Sequence, residues 1–235
     1  MVLTRESLRD GTLRRMLEQS GDHGLALMLS DEERNASLRT LLDGHPADSD
    51  LWVFGYGSLI WNPAIHTVGR SMARLRGWHR RYCLWTVLGR GTPDRPGLML
   101  GLERGGSCVG VAWRVAAADV SVELDILWRR EMISGAYVPR WVAVETPDGP
   151  ARAITFTINQ AHPRYAARQD DDAVARVVAQ ATGPLGTCRE YLENTVSHLR
   201  DLGIRDARLE RIAARVNALR AEASEPVNEC LGLLG

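Results

Sequence analysis

The order of apolar and polar positions divides the chain into three zones. In the polar stretch 1–47, Leu8, Leu13, Met16 and Leu17 recur at helix spacing, and residues 32–42 predict a second short helix behind a Ser30 or Asp31 cap. After a linker at 47–50 the pattern changes to short β-like runs separated by glycine and proline. Strands are predicted over 51–54, 68–75, 82–88, 97–102, 109–115, 138–145 and 153–158, with one helix, 119–133, between the fifth and sixth. From 170 onwards helices return, over 170–181, 188–202 and 206–222, the last carrying Leu209, Ile212, Val216 and Leu219 on one face. The expected fold class is α+β, a compact, closed sheet with flanking helices. Its expected division is a helical extension 1–47, a domain 51–202 and a C-terminal helical segment 203–235 packed on that domain.

One polar residue breaks the pattern. At about 100° per residue, Val120, Leu124 and Leu127 define the buried stripe of helix 119–133, and Glu131 falls in the middle of it. Arg129 and Arg130 are expected to project away from the core. A carboxylate on an apolar face must be paired, be protonated or line a cavity, and burial moves its pKa toward neutrality. That suits a group which both takes and gives a proton. A structural ion pair with one of the many arginines is the competing reading. Gly135 closes the helix and places Glu131 near the mouth of any pocket there.

A second feature is the turn after the first strand, 54–60, FGYGSLI. Gly55 and Gly57 flank Tyr56 and allow a sharp turn with close backbone approach, and Ser58–Leu59–Ile60 is expected to open a helical turn whose free N–H groups point at an anion. A dinucleotide fingerprint would need glycine where Ile60 stands, and Ser58 lacks the GxSxG context of a nucleophile.

Composition removes several chemistries. The 29 basic residues are all arginine, balanced by 29 acidic ones. Without lysine there is no Schiff base, no pyridoxal-phosphate anchor and no Walker-type loop. Zero net charge argues against a nucleic-acid binder, although Arg70, Arg74, Arg76, Arg80 and Arg81 interleave with Trp78, Tyr82 and Trp85. Those arginines instead suggest a pocket mouth attractive to an acidic peptide. Asp170–Asp172 reads as the charged start of a helix, and the arginines at 208, 211 and 215 as a solvated face. The four cysteines lack zinc or CxxC spacing, and the N-terminus lacks an apolar leader. The longest apolar runs, such as 25–29, are far too short to span a membrane. A cytoplasmic protein without metal or cofactor is expected.

Several motifs in order, FGYGSLIWNP (54–63), GWHRRYCLW (77–85), GRGT (89–92), LWRREMISGAYVPRW (127–141) and GPLGT (183–187), resemble the ChaC family of glutathione-specific γ-glutamylcyclotransferases. The resemblance covers about 50–190. It implies a small mixed β-barrel with surrounding helices and a cofactor-independent cleavage of glutathione, a small-molecule substrate, to 5-oxoproline and Cys-Gly. Position by position, it implies that Tyr56, Gly57, Ser58 and Leu59 form the substrate loop, that Glu131 is the general acid/base, and that Gly135 and Tyr137 shape the pocket. Tyr165 is a further pocket candidate, and Phe54, Gly55 and Arg81 are candidates by proximity to the motifs. Other γ-glutamyl peptides or amines as substrates, and a non-catalytic regulator of cation transport, stand as alternatives.

Overall fold

The structure, a computed structural model, describes residues 3–18 and 28–224. The apolar run 25–29 lies partly outside the described residues, and Cys230 with the rest of the tail beyond 224 lies wholly outside them.

Two long strands dominate. β2 (Gly69–Thr86) and β3 (Gly97–Val115) form an antiparallel hairpin, in register from Gly69↔Arg114 to Thr86↔Gly97, with irregularities at Arg76/Trp78 and Tyr82/Leu84. Each joins two of the short strands expected from the sequence. The joining segments are polar and glycine-bearing, with Gly77, Gly105 and Gly106 at positive φ, so the apolar alternation lapses while the backbone ladder continues. β1 (Leu51–Gly55) pairs antiparallel with β3 and parallel with β5 (Gly149–Ile158), and β4 (Tyr137–Thr146) joins β2 to β5. The order β1-β3-β2-β4-β5 closes into a barrel, which leaves no free sheet edge between its members.

Strand alternation sends residues into two large apolar clusters, beside a small third one of Cys83, Leu84, Ala136 and Ile158. Leu51 and Val53 of β1, with Ile154 and Phe156 of β5, meet the N-terminal helices α1 (Arg5–Arg9) and α2 (Thr12–Glu18), α3 (Asp31–Leu42) and the mid-chain helix α4 (Val120–Glu131). Phe54, Leu98, Leu100 and Leu102 join the other cluster. Its remaining walls are α5 (Asp171–Gln180), α6 (Cys188–Asp201) and α7 (Ala207–Ser224), which contribute Val174, Val178, Leu192, Ile212 and Val216. The spacing of Leu8 and Leu13 is thus divided between two helices by Asp10 and Gly11, the latter at φ +74°. Ser30 does cap α3, in a capping box with Glu33.

One surface reading changes, while Asp170–Asp172 does form the charged start of α5. Arg208, Arg211 and Arg215 of α7 are ion-paired with Asp171 and Asp172 of α5, because the two helices pack side by side. Asp170 alone serves as the cap, accepting from the Ala173 N–H at 2.6 Å. On the other side Glu123 of α4, only 2% exposed, accepts from Arg5 and from the His66 N–H at 2.9 Å, which ties α1 to the domain. Replacing Glu123 with Ala leaves Arg5 and an amide without their acceptor. Urea unfolding is expected to show a loss of about 3 kcal/mol, and E123Q less, because its amide oxygen still accepts from His66.

Candidate active site

At one end of β1 the chain turns at Tyr56 into a single 3-10 turn, Ser58–Ile60. Both glycines of the turn are dictated by space. A Cβ on Gly55 would lie 2.9 Å from the Leu59 Cβ, and one on Gly57 would lie 2.7 Å from the Tyr191 hydroxyl. The Ile60 N–H donates to the Gly57 carbonyl at 2.9 Å, so Ile60 is not one of the free donors expected from the sequence. The Ser58 and Leu59 N–H groups have no acceptor among the described residues.

Facing this turn is the last residue of α4, Glu131. Its side chain is 13% exposed and forms an ion pair with the neighbouring Arg130, Nε to Oε1 at 3.0 Å. Arg130 does not project into solvent as expected. It is buried, donating to Ser58 Oγ at 2.8 Å and to the Asn62 carbonyl. The reason is that helix α4 stops at Glu131, so the final turn faces the 3-10 segment rather than water. Arg129 does lie on the outer side, paired with Asp125. Burial raises the Glu131 carboxyl above its ordinary value, and Arg130 opposes that shift without cancelling it.

Glu131, Tyr56, Gly57, Ser58, Leu59 and Tyr137 all line one cavity of about 210 Å³. Tyr56 donates to the Phe156 carbonyl at 2.8 Å and Tyr137 to the Leu100 carbonyl at 2.7 Å, which fixes both rings. Burial pushes both phenols well above their ordinary value, with the nearby Glu131 charge adding to the effect, so they act as neutral hydroxyls. Gly135 is in the turn behind Glu131, at φ +64°, where it brings Ser134 and Ala136 to the cavity wall without reaching it itself. Gly55 likewise shapes the turn and is not part of the lining.

Three candidates lie elsewhere. Phe54 is fully buried in the apolar core and does not line the cavity. Arg81 forms a two-pronged ion pair with Glu103 at 2.6 and 2.7 Å and donates to the Tyr165 hydroxyl at 3.1 Å. Burial works against ionisation of Glu103, yet hydrogen bonds from Arg81 and Tyr165 hold its carboxyl at about 2. Arg81 and Tyr165 are therefore committed to this separate network, and neither lines the cavity. Nor do the other arginines between 70 and 81: Arg76 pairs with Glu145 and Arg80 with Asp206.

The cavity instead has three arginines that the sequence reading did not single out for it, Arg90, Arg130 and Arg164, together with Trp61, Tyr191 and Asn194. Leu3, Leu13 and Leu17 of the N-terminal segment complete a wall. The two glycine motifs downstream meet here as well. A Cβ on Gly183 would lie 2.3 Å from the Gly89 carbonyl, and the Leu185 N–H donates to that carbonyl at 2.9 Å, so GPLGT and GRGT pack backbone to backbone. Leu185 and Arg90 thereby reach the cavity. No helix among the described residues is long and apolar enough to cross a membrane.

Chemically the site offers one carboxyl with a raised pKa, donors on a tight turn, fixed hydroxyls and arginine charge. That set suits proton transfer on a small anionic substrate. Comparison with known proteins is consistent with this. The sequence pattern described as "ChaC-like protein" matches residues 51–219. The glutathione-specific γ-glutamylcyclotransferase of Escherichia coli K12 is 41% identical over 198 residues, 84% of this chain and 86% of that protein. The human glutathione-specific γ-glutamylcyclotransferase 1 is 31% identical over 182 residues, 75% of this chain and 81% of that one. A solved yeast γ-glutamyl cyclotransferase specific to glutathione superposes with a TM-score of 0.69 at 21% identity, over 75% of this chain and all of that one, which establishes the shared fold.

Proposed function

Because the chain belongs to the ChaC-like family, we propose that it is a glutathione-specific γ-glutamylcyclotransferase, with Glu131 moving the proton. The observation that carries this reading is a buried carboxyl, raised in pKa, facing a turn with two unpartnered N–H groups in one cavity. The substrate supplies its own nucleophile. Ionised Glu131 takes a proton from the α-ammonium, and the amine attacks the γ-carbonyl to form a tetrahedral intermediate. The ring nitrogen then gives up its second proton as the C–N bond to cysteine breaks, the departing nitrogen takes up both protons by way of Glu131 and leaves as the ammonium of Cys-Gly, and 5-oxoproline is released. Glu131 ends as it began and no water is consumed.

Each neighbour has a task in this sequence. Arg130 holds both Ser58 and Glu131, which fixes the distance between the base and the donor turn. The Ser58 and Leu59 N–H groups are placed to hold the glutamyl carboxylate or the developing oxyanion. Ring closure depends on holding amine against carbonyl, and good orientation is worth up to about 7–11 kcal/mol. Residues 51–202 are read as the catalytic domain, with the N-terminal helices as a wall of its cavity. The three described cysteines are buried free thiols, which fits a reducing, cytoplasmic setting.

The direct test is to incubate the purified protein with glutathione and quantify products. 5-Oxoproline and Cys-Gly are expected in equal amounts, with no free glutamate. Glutamate without 5-oxoproline would mean hydrolysis and exclude the cyclising route.

A further inference from the structure

Two of the three cavity arginines are already committed. Arg90 pairs with Glu190 at 3.0 Å and donates to the Thr187 carbonyl at 2.7 Å. Arg130 pairs with Glu131 and donates to Ser58 and Asn62. Arg164 differs. It enters from the segment after β5, where its backbone N–H donates to His162 Nδ1 at 3.1 Å, and its guanidinium reaches the Ser134 hydroxyl. No carboxylate among the described residues pairs with it, and its buried Nε has no hydrogen-bond partner. Burial pulls its pKa down.

A half-buried guanidinium with an orphaned N–H is a cost that the protein alone does not offset. A ligand carboxylate at the cavity would supply the missing anion, through a charge-assisted bond that arginine makes with a fixed geometry. The position of Arg164 indicates which carboxylate. The reacting end of the substrate belongs at Glu131, Ser58 and Leu59, where Arg130 already provides the charge. Arg164 is held at Ser134, and it is Arg130, not Arg164, whose charge acts on Glu131.

Resting on the cyclotransferase reading above, we propose that Arg164, the unpaired guanidinium at the cavity, binds the C-terminal glycine carboxylate of glutathione and so sets selectivity for a peptide with a free C-terminus. It is a binding residue, separate from proton transfer, so its loss acts through KM.

The test compares glutathione with its glycine ethyl ester, in which that carboxylate is neutral. The unmodified protein is expected to favour glutathione by about 10- to 100-fold in kcat/KM. In R164M the ratio is expected to fall toward one through a raised KM for glutathione, with R164K recovering part of it. Equal kcat/KM for acid and ester in the unmodified protein would overturn the proposal while leaving cyclotransferase activity intact. So would a full preference surviving in R164M. No 5-oxoproline from either compound would remove the underlying reading, and this proposal with it. Should R164M fail to fold, the comparison in the unmodified protein decides the matter alone.

Discussion

E131Q is expected to lower kcat for 5-oxoproline formation from glutathione by about 10²–10⁴-fold, with a much smaller change in KM. Glutamine keeps the shape and hydrogen-bonding capacity of the side chain but neither accepts nor returns the proton. Turnover within tenfold of the unmodified protein would exclude Glu131 as the proton carrier. The pH dependence adds an independent check. Glu131 must be ionised to act as the base, and burial raises its pKa above the ordinary 4.5, so the acid limb of kcat/KM is expected above that value. The same shift has a stability consequence with a defined sign. A carboxyl whose pKa is raised in the folded state binds its proton more tightly there than in the unfolded chain. The resulting stabilisation is complete below the unfolded pKa and is lost as pH rises through the folded one. E131Q removes that loss, so its Tm relative to the unmodified protein is expected to increase between pH 4 and pH 7. A difference in Tm that stays flat across this range would contradict the inferred environment of Glu131.

Gly57→Ala is expected to be almost as damaging. The added methyl would stand 2.7 Å from the Tyr191 hydroxyl, closer than carbon and oxygen approach without a bond. Either the donor turn or helix α6 must give way. Overpacking of this kind costs about 1–3 kcal/mol of stability, and a shift of about 1 Å in a positioned group costs about 100-fold in rate. The cause is a single hydroxyl, so the double variant G57A/Y191F is expected to regain at least tenfold in kcat/KM over G57A. Additive losses in the double variant, measured by the same product assay, would show that Gly57 is required for backbone conformation rather than for room.

Much of this site was readable in the linear chain, and the unread part has a common cause. Helical periodicity singled out Glu131 because a charge within an apolar stripe needs a reason, whatever the fold. The paired glycines around Tyr56 announced a tight turn, and the ordered motifs pointed to the family. Proximity along the chain was a weaker guide. It suggests Phe54 and Arg81, but Phe54 is buried in the core, and Glu103 on the opposing strand claims Arg81. The long hairpin reads in sequence as separate short strands because its middle carries polar residues and glycines, which interrupt hydrophobic alternation without breaking the ladder.

By itself the sequence determined the α+β class, the helical face that exposes Glu131 as anomalous, and the chemistry that a lysine-free chain must forgo. These are local properties, set by side-chain period, backbone freedom and residue type. Only the tertiary structure decided which arginines serve the site. Twenty-nine guanidiniums are alike in sequence, and several find their partners only through contacts far apart along the chain. Arg81 meets Glu103, Arg90 meets Glu190, and Arg208 meets Asp171. Arg164 is left at the cavity without an acid. Charge pairing is decided by distances of a few ångströms, and those exist only once the barrel has closed.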